Sequence, residues 1–340
     1  MDLELSDEQR WLSESVETLL AREGDDGWDS LVSFGALSVG GEEGLGAVEL
    51  CLIARALGAH LAPVPYLGSA AARFAAEPLA AELGDEAVAL AVLEPGASWA
   101  APPERTVFER VDGVSGTKVA VEHAAAAQRL AVVAAGPDGP VLVVIDASGP
   151  GVALEPRPAF DPTLPMSAAE LMAAAVMHGP YGGEAIPRLH TIGALLAAAE
   201  AVGAAGRLLD DACRYAAERR QFGRTIASFQ ALRHLLADMH VRQSSGWSSV
   251  LYAAAALDEN LDDAPRTVSI VKAYVSRAAR EVAHGALQVF GGVAMTAEHP
   301  AHRFLRRIVV RERQFGDAVL HERALGRALT AAAAVPGPVS

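Results

Sequence analysis

Two segments carry residue types that could grip a charged aromatic cofactor: Arg219-Arg220-Gln221-Phe222-Gly223 and Gln288-Val289-Phe290-Gly291-Gly292. A guanidinium such as that of Arg219 can hold a diphosphate through two parallel hydrogen bonds, and a ring such as Phe222 can cover an adenine or ribose face. Gln288 adds an amide, and the pair Gly291-Gly292 lets the backbone approach a ligand with no Cβ in the way. Each segment alone also reads as an ordinary helix end. A basic residue in a last turn complements the helix dipole, and glycine is the usual left-handed cap, so Gly223 is expected to terminate the first long helix of the C-terminal half. His299 and His302 share the i, i+3 spacing of metal ligands on a helix. No carboxylate or cysteine cluster completes a site there, and no metal is expected.

Long helices must present these ends. In 189–213 the small or apolar positions Leu189, Ile192, Leu196, Ala199, Gly203, Gly206 and Cys213 recur at steps of three and four, as do Val268, Val271, Val275, Ala278, Val282, Gly285 and Val289 in 268–289. Such stripes bury one helix face, and their small residues let neighbouring axes come close. With helix also expected over 228–257, residues 181–340 read as an antiparallel helical bundle, to which 298–332 adds further helix. Glu200, next to the first stripe, reads as a buried acid or, by preference, as a structural residue near the bundle edge; Asp317 is expected to cap the last helix and the tail 335–340 to fray. Gly182-Gly183 reads as the loop into the bundle.

Residues 1–85 also read as helical. Ser6 with Asp7, Glu8 and Gln9 resembles an N-cap followed by an acidic first turn; Pro63 and Pro65 interrupt the helical pattern after 47–60, and a helix is expected to resume near Ser69. Between 86 and 180 short Val-rich runs alternate with turn formers, Asp112-Gly113 and Pro137-Asp138-Gly139-Pro140, which predicts a small antiparallel β domain. The fold class is mainly α with a small middle β domain.

The chain has 340 residues, 51% hydrophobic and 21% charged, with a formal net charge of -14. That balance suits a soluble globular protein and excludes wholesale disorder. An acidic surface repels nucleic acid and anionic lipid, so an anionic ligand must be met by locally placed arginines; Lys118 and Lys272 are the only lysines. Cys51 and Cys213 lack CxxC spacing and read as two packed thiols in a reducing, cytoplasmic setting. No apolar run is expected to span a bilayer, and no membrane partner is implied.

The order RRQFGRTIASFQALRHLLADM, then QVFGG, then EHPAHRFLRR, together with ALGAHLAPVP and LEPG followed by DGVSGTKVAVEHAAAAQRLAVVA, resembles the acyl-CoA dehydrogenase family over essentially the whole chain. The resemblance implies that family's fold: an N-terminal helical domain, a middle β domain and a C-terminal four-helix bundle. It also implies α,β-dehydrogenation of an acyl-CoA thioester with FAD lying between subunits. Arg219, Phe222, Gln230, Gln288, Gly291 and Gly292 match the positions that grip the ADP end of a cofactor whose flavin sits in the partner.

The proton-abstracting Glu does not carry over. The family's two alternative positions for it align with Phe315 and Gly193, and Asp317 and Glu312 are the nearest carboxylates in sequence to the first of these. The flavin-facing residues differ too. The family's hydroxyl before Glu-Pro is Leu93 here, and its Trp-Ile-Thr/Ser run reads Val119-Ala120-Val121-Glu122. An apolar side chain cannot replace a hydrogen-bond donor aimed at a ring heteroatom. Together with the short length and the Trp28-Asp29-Ser30-Leu31 segment, these losses resemble the shorter subunit of heteromeric actinobacterial dehydrogenases that act on CoA thioesters of steroid side chains. The implied partner is a homologous dehydrogenase subunit carrying the missing Glu. A self-sufficient homo-oligomer with a displaced base, and a non-catalytic acyl-CoA or partner-binding protein, are the alternatives.

Overall fold

Ser6 opens the first helix as expected: its hydroxyl accepts from the Gln9 N–H at 3.1 Å while the Gln9 side chain accepts from the Ser6 N–H at 3.0 Å. The computed structural model describes residues 4–24, 27–40 and 44–333, with side chains to residue 330; the tail expected to fray lies outside the described residues. Helices α1 (Asp7–Glu23), α2 (Trp28–Ser33), α3 (Ala47–His60), α4 (Tyr66–Ala75) and α5 (Glu77–Leu83) come first. α4 starts at Tyr66, directly after Pro65, three residues earlier than expected. A proline immediately before a helix lacks only an N–H that the first turn would leave unpaired, so it begins the helix here instead of delaying it.

The strands follow: β1 (Val88–Ala91), β2 (Val107–Glu109), β3 (Gly113–Glu122), β4 (Arg129–Gly136), β5 (Gly139–Asp146), β6 (Val152–Arg157), β7 (Met166–Ala174) and β8 (Val176–Tyr181). They form one sheet in the order β6-β7-β3-β2-β4-β5-β8, with β1 also paired to β4. The turn signals hold. Asp112 ends the β2–β3 connection and Gly113 opens β3, and Pro137-Asp138 joins Gly136 to its partner Gly139. The sheet is not wholly antiparallel, because β1 and β2 pair with β4 in parallel. Parallel neighbours need a long connection instead of a hairpin, and the chain between β1 and β4 supplies one.

Helix α6 (Ala185–Glu218) leads through the short strands β9 (Arg220–Gln221) and β10 (Arg224–Thr225) to α7 (Gln230–Asp258), α8 (Ala264–Phe290), α9 (Ala301–Arg313) and α10 (Ala318–Ala333). The stripes predicted on α6 and α8 are buried, apart from half-buried Gly206 and exposed Cys213. α6 is long and apolar enough to cross a membrane by length and composition, but 89% of its most apolar window is buried inside the protein, so no membrane span is indicated. It is the central core helix. α3 crosses it at two glycines: a Cβ on Gly58 would stand 2.0 Å from the Glu200 carbonyl oxygen, and one on Gly203 would stand 1.9 Å from that of Arg55. Backbone meets backbone there, so the N-terminal helices and the bundle share one core.

Candidate functional site

α6 ends at Glu218, where Arg219 turns extended. Gly223 is therefore not the helix cap that its spacing suggested. Phe222 (φ 51) and Gly223 (φ 78) instead form the turn of the β9–β10 hairpin; two successive left-handed residues match the twist of a two-residue hairpin. A phenylalanine in that region is strained, by about 1–3 kcal/mol, and its ring is 91% exposed. The hairpin is tied back by the Ile226 N–H donating to the Arg219 carbonyl at 2.8 Å.

The second segment behaves as expected. α8 stops at Phe290 with Gly291 (φ 67) as its cap. Tyr215 in the last turn of α6 packs edge-on against Phe290 at 5.3 Å between ring centres, so the two helix ends are neighbours. Gln230 begins α7 at this end of the bundle, and no side chain caps that helix's first N–H groups. Arg219, Phe222, Gln230, Gln288, Gly291 and Gly292 are all exposed. Among the described residues, none pairs with the Arg219 guanidinium, and a Cβ on Gly292 would meet nothing within 4 Å. An unpaired guanidinium, the positive end of a 29-residue helix and a bare glycine backbone together suit an anion with a flat group beside it.

The two base positions lie against each other. A Cβ built on Gly193 would stand 2.4 Å from the Phe315 ring, so the ring occupies the volume that a side chain at 193 would need. Phe315, left-handed at φ 57, also packs on Trp99 at 4.7 Å and on His190 at 6.2 Å. Its carbonyl accepts from His321 Nε2 at 3.0 Å. Burial, reinforced by His321, lowers the pKa of His190, and burial likewise lowers that of His321. The nearby carboxylates are committed elsewhere: Asp317 caps α10 by accepting from the Leu320 N–H at 2.9 Å, as expected, and Glu312 pairs with Arg280 at 3.1 Å.

The stretch 119–122, which the resemblance aligns with flavin-facing residues, is closed by charge. Glu122 receives Arg311 Nη1 at 2.5 Å and Nη2 at 2.9 Å, and Gln314 Nε2 at 3.3 Å. Burial opposes its ionisation, but the Arg311 charge and hydrogen bonds, with His123 and Arg307, hold its pKa down to about 2. The space left among Ala120, Glu122, His123, Gln314 and Phe315 is about 10 Å³, roughly room for one water. Leu93 is followed by Glu94, whose carboxylate turns inward to accept from the N–H groups of Glu104, Arg105 and Thr106. Burial again resists, and those three donors with Lys118 lower its pKa to about 2.

Behind this wall stands a cluster that the sequence did not reveal. Arg307 reaches Asp161 at 2.7 Å, Glu200 at 2.5 Å and the Thr163 hydroxyl at 2.6 Å, while Arg311 Nε lies 2.8 Å from Glu200. Glu200 is thus fully buried between two arginines and not at the bundle edge. Only the i, i+4 spacing of Arg307 and Arg311 on one face of α9 hinted at it. His299 caps locally, accepting from the Ala301 N–H at 3.2 Å, and no group of metal-ligating side chains occurs among the described residues.

Residues 184–330 match the model of the acyl-CoA dehydrogenase C-terminal domain. Acyl-CoA dehydrogenase FadE34 of Mycobacterium tuberculosis is 36% identical over 166 residues, 48% of this chain. The chain spans under a quarter of that relative, 23%. One chain of the ChsE4–ChsE5 complex from Mycobacterium tuberculosis superposes with a TM-score of 0.85 at 28% identity, covering 99% of this chain and 100% of that one. A Tcur3481–Tcur3483 steroid ACAD gives 0.85 at 28% identity over 96% of this chain and 98% of its own.

Proposed function

The chain belongs to the acyl-CoA dehydrogenase family, and from that premise we propose that it is one subunit of a heteromeric FAD-dependent acyl-CoA dehydrogenase whose homologous partner supplies the flavin pocket and the base. Arg219 would face the cofactor's diphosphate with the uncapped start of α7 behind it, Phe222 would cover the adenosine, and Gln230, Gln288 and Gly291-Gly292 would bound it. These exposed, uncommitted groups fit the ADP end of FAD. The space beside Ala120 and Glu122 does not fit an isoalloxazine ring, so the ring is assigned to the partner.

The bound FAD would supply a hydride acceptor for the substrate's β-hydrogen, and the reaction would also need a carboxylate to take the α-proton. The observation that carries the division of labour is the Phe315 ring packed on Gly193. Neither family position holds a carboxylate, and neither can receive one without displacing that ring. Among the described residues the two carboxylates nearest in sequence to Phe315, Asp317 and Glu312, are engaged in a helix cap and with Arg280, so the task is assigned to the partner. The substrate class we propose is a CoA thioester of a steroid side chain, because a structure matched over nearly the whole chain is described as a steroid ACAD.

The test is expression alone and with a homologous dehydrogenase that carries the Glu. Flavin and acyl-CoA-dependent reduction of an artificial acceptor should appear only in the pair. A yellow, active homo-oligomer would overturn the proposal.

A further inference from the structure

The last turn of α9 and the loop after it, residues 311–317, are fastened by one side chain from each of three other elements. From α8, the buried Lys272 Nζ donates to the Arg311 carbonyl and, at 3.0 Å, to the Glu312 carbonyl, groups that a helix end leaves without an intrahelical partner. From α10, His321 Nε2 donates to the Phe315 carbonyl at 3.0 Å. From β3, Glu122 receives Gln314 Nε2 at 3.3 Å. All three fasteners are ionisable. Between them Phe315 (φ 57) and Gly316 (φ 99) are both left-handed, a conformation that a phenylalanine keeps only where its surroundings hold it.

Lys272 is a poor place for a charge. Facing it are Arg311 and Glu312 from α9, Asp317 from the loop and His321 from α10, and His190 on α6 faces His321 in turn. The two carboxylates are drawn elsewhere, Glu312 to Arg280 at 3.1 Å and Asp317 to the start of α10. A charged ammonium therefore gains more from water than from this site, whereas an uncharged amine still has two hydrogens for the two carbonyls. We propose that residues 311–317 form a proton-released latch: a proton taken up by Lys272 favours the state in which this segment lifts into water and the Phe315 ring leaves Gly193, and loss of that proton closes it. Burial brings the Lys272 pKa down to about 7 from the 10.5 of a free lysine, against Glu312 and with the help of Arg311. A base whose pKa is lower closed than open binds its proton on opening, so closure is firmest above about pH 10.5 and weakens as the pH falls to about 7. His321, lowered by burial and by Lys272, acts in the same direction below pH 6.5. Glu122, with its pKa near 2, does not change in this range. The proposal stands whether or not the chain shares FAD with a partner.

The test is hydrogen exchange of the full chain, in the assembly in which it purifies, between about pH 7.5 and about pH 9.5. Gln314 and Gly316 report on the latch, because their N–H groups donate to the Val310 and Arg313 carbonyls. After correction for the intrinsic effect of pH on exchange, their opening equilibrium should rise about tenfold for each unit by which the pH is lowered, as release coupled to one proton requires. Amides in the middle of α6 should show no such trend, and Lys272→Met should abolish it. Should that variant fail to fold, carbon-13 labelling of lysine decides: Lys118 and Lys272 are the only lysines, and one of their two signals should titrate near pH 7. A trend absent from the parent, shared by α6 or kept in Lys272→Met, or no lysine signal titrating near pH 7, would each overturn the proposal.

Discussion

At Gly193 the distance of 2.4 Å from a built Cβ to the Phe315 ring makes the pair a single packing unit. Gly193→Ala should destabilise the protein by about 1–3 kcal/mol, as overpacking a filled core does. Phe315→Ala alone should also destabilise, by about 3–5 kcal/mol. The double variant should be more stable than the sum of the two predicts, because the ring that the new methyl strikes is gone. Denaturant unfolding of the four proteins checks this, and additive losses would mean that the two positions do not touch. The residue types at both positions were legible in the sequence once the family resemblance was drawn. Their contact was not, since residues so far apart in sequence meet only through the packing of α6 against the loop after α9. Arg219→Ala, by contrast, should leave unfolding within about 0.5 kcal/mol of the parent, as an exposed and unpaired side chain does, and should lower flavin retention in the assembled complex. Flavin content unchanged in that variant would reduce Arg219 to a helix-end residue.

Among the elements, the crossing of α3 on α6 is held at its closest by Gly58 and Gly203. Gly203→Ala would put a Cβ 1.9 Å from a carbonyl oxygen of the opposite helix, and backbone cannot swing aside as a flexible side chain can. A loss of more than about 2 kcal/mol in thermal or denaturant unfolding is expected; a neutral substitution would mean that the helices are farther apart than described. The long stripes of α6 and α8 predicted this burial because helical periodicity is a local signal. The end of α6 was less legible. Arg-Arg-Gln-Phe-Gly reads as a basic last turn with a glycine cap, yet the helix stops four residues before the first left-handed position and gives way to a hairpin. A helix cap and a hairpin turn both call for glycine at positive φ, so that residue alone does not choose between them. Glu200 misled for another reason: its partners Arg307 and Arg311 lie far along the chain, and local pattern places an isolated Glu outward.

For the whole molecule, the ionic cluster ties the sheet, α6 and α9 together through Glu122, Asp161, Glu200, Arg307 and Arg311. Glu122 and Glu94 both have folded pKa values near 2, below the 4.5 of a free Glu. Carboxyls depressed on folding add stability above their unfolded pKa and lose it as pH falls through the folded value. The protein should therefore weaken steeply between about pH 4.5 and pH 2, with about 3 kcal/mol of that loss resting on Glu122. Glu122→Gln should flatten this acid limb, and an unchanged limb would place the sensitivity elsewhere. On the same scale the chain presents an exposed face around Arg219 and a closed stretch around Glu122, the two observations behind the proposal that it is half of a shared site. The most direct test is the FAD content of the complex purified with a homologous, Glu-bearing dehydrogenase. One FAD is expected for each pair of unlike chains, lost when this chain carries Arg219→Ala. One FAD on every chain, or flavin bound by this chain alone, would contradict it.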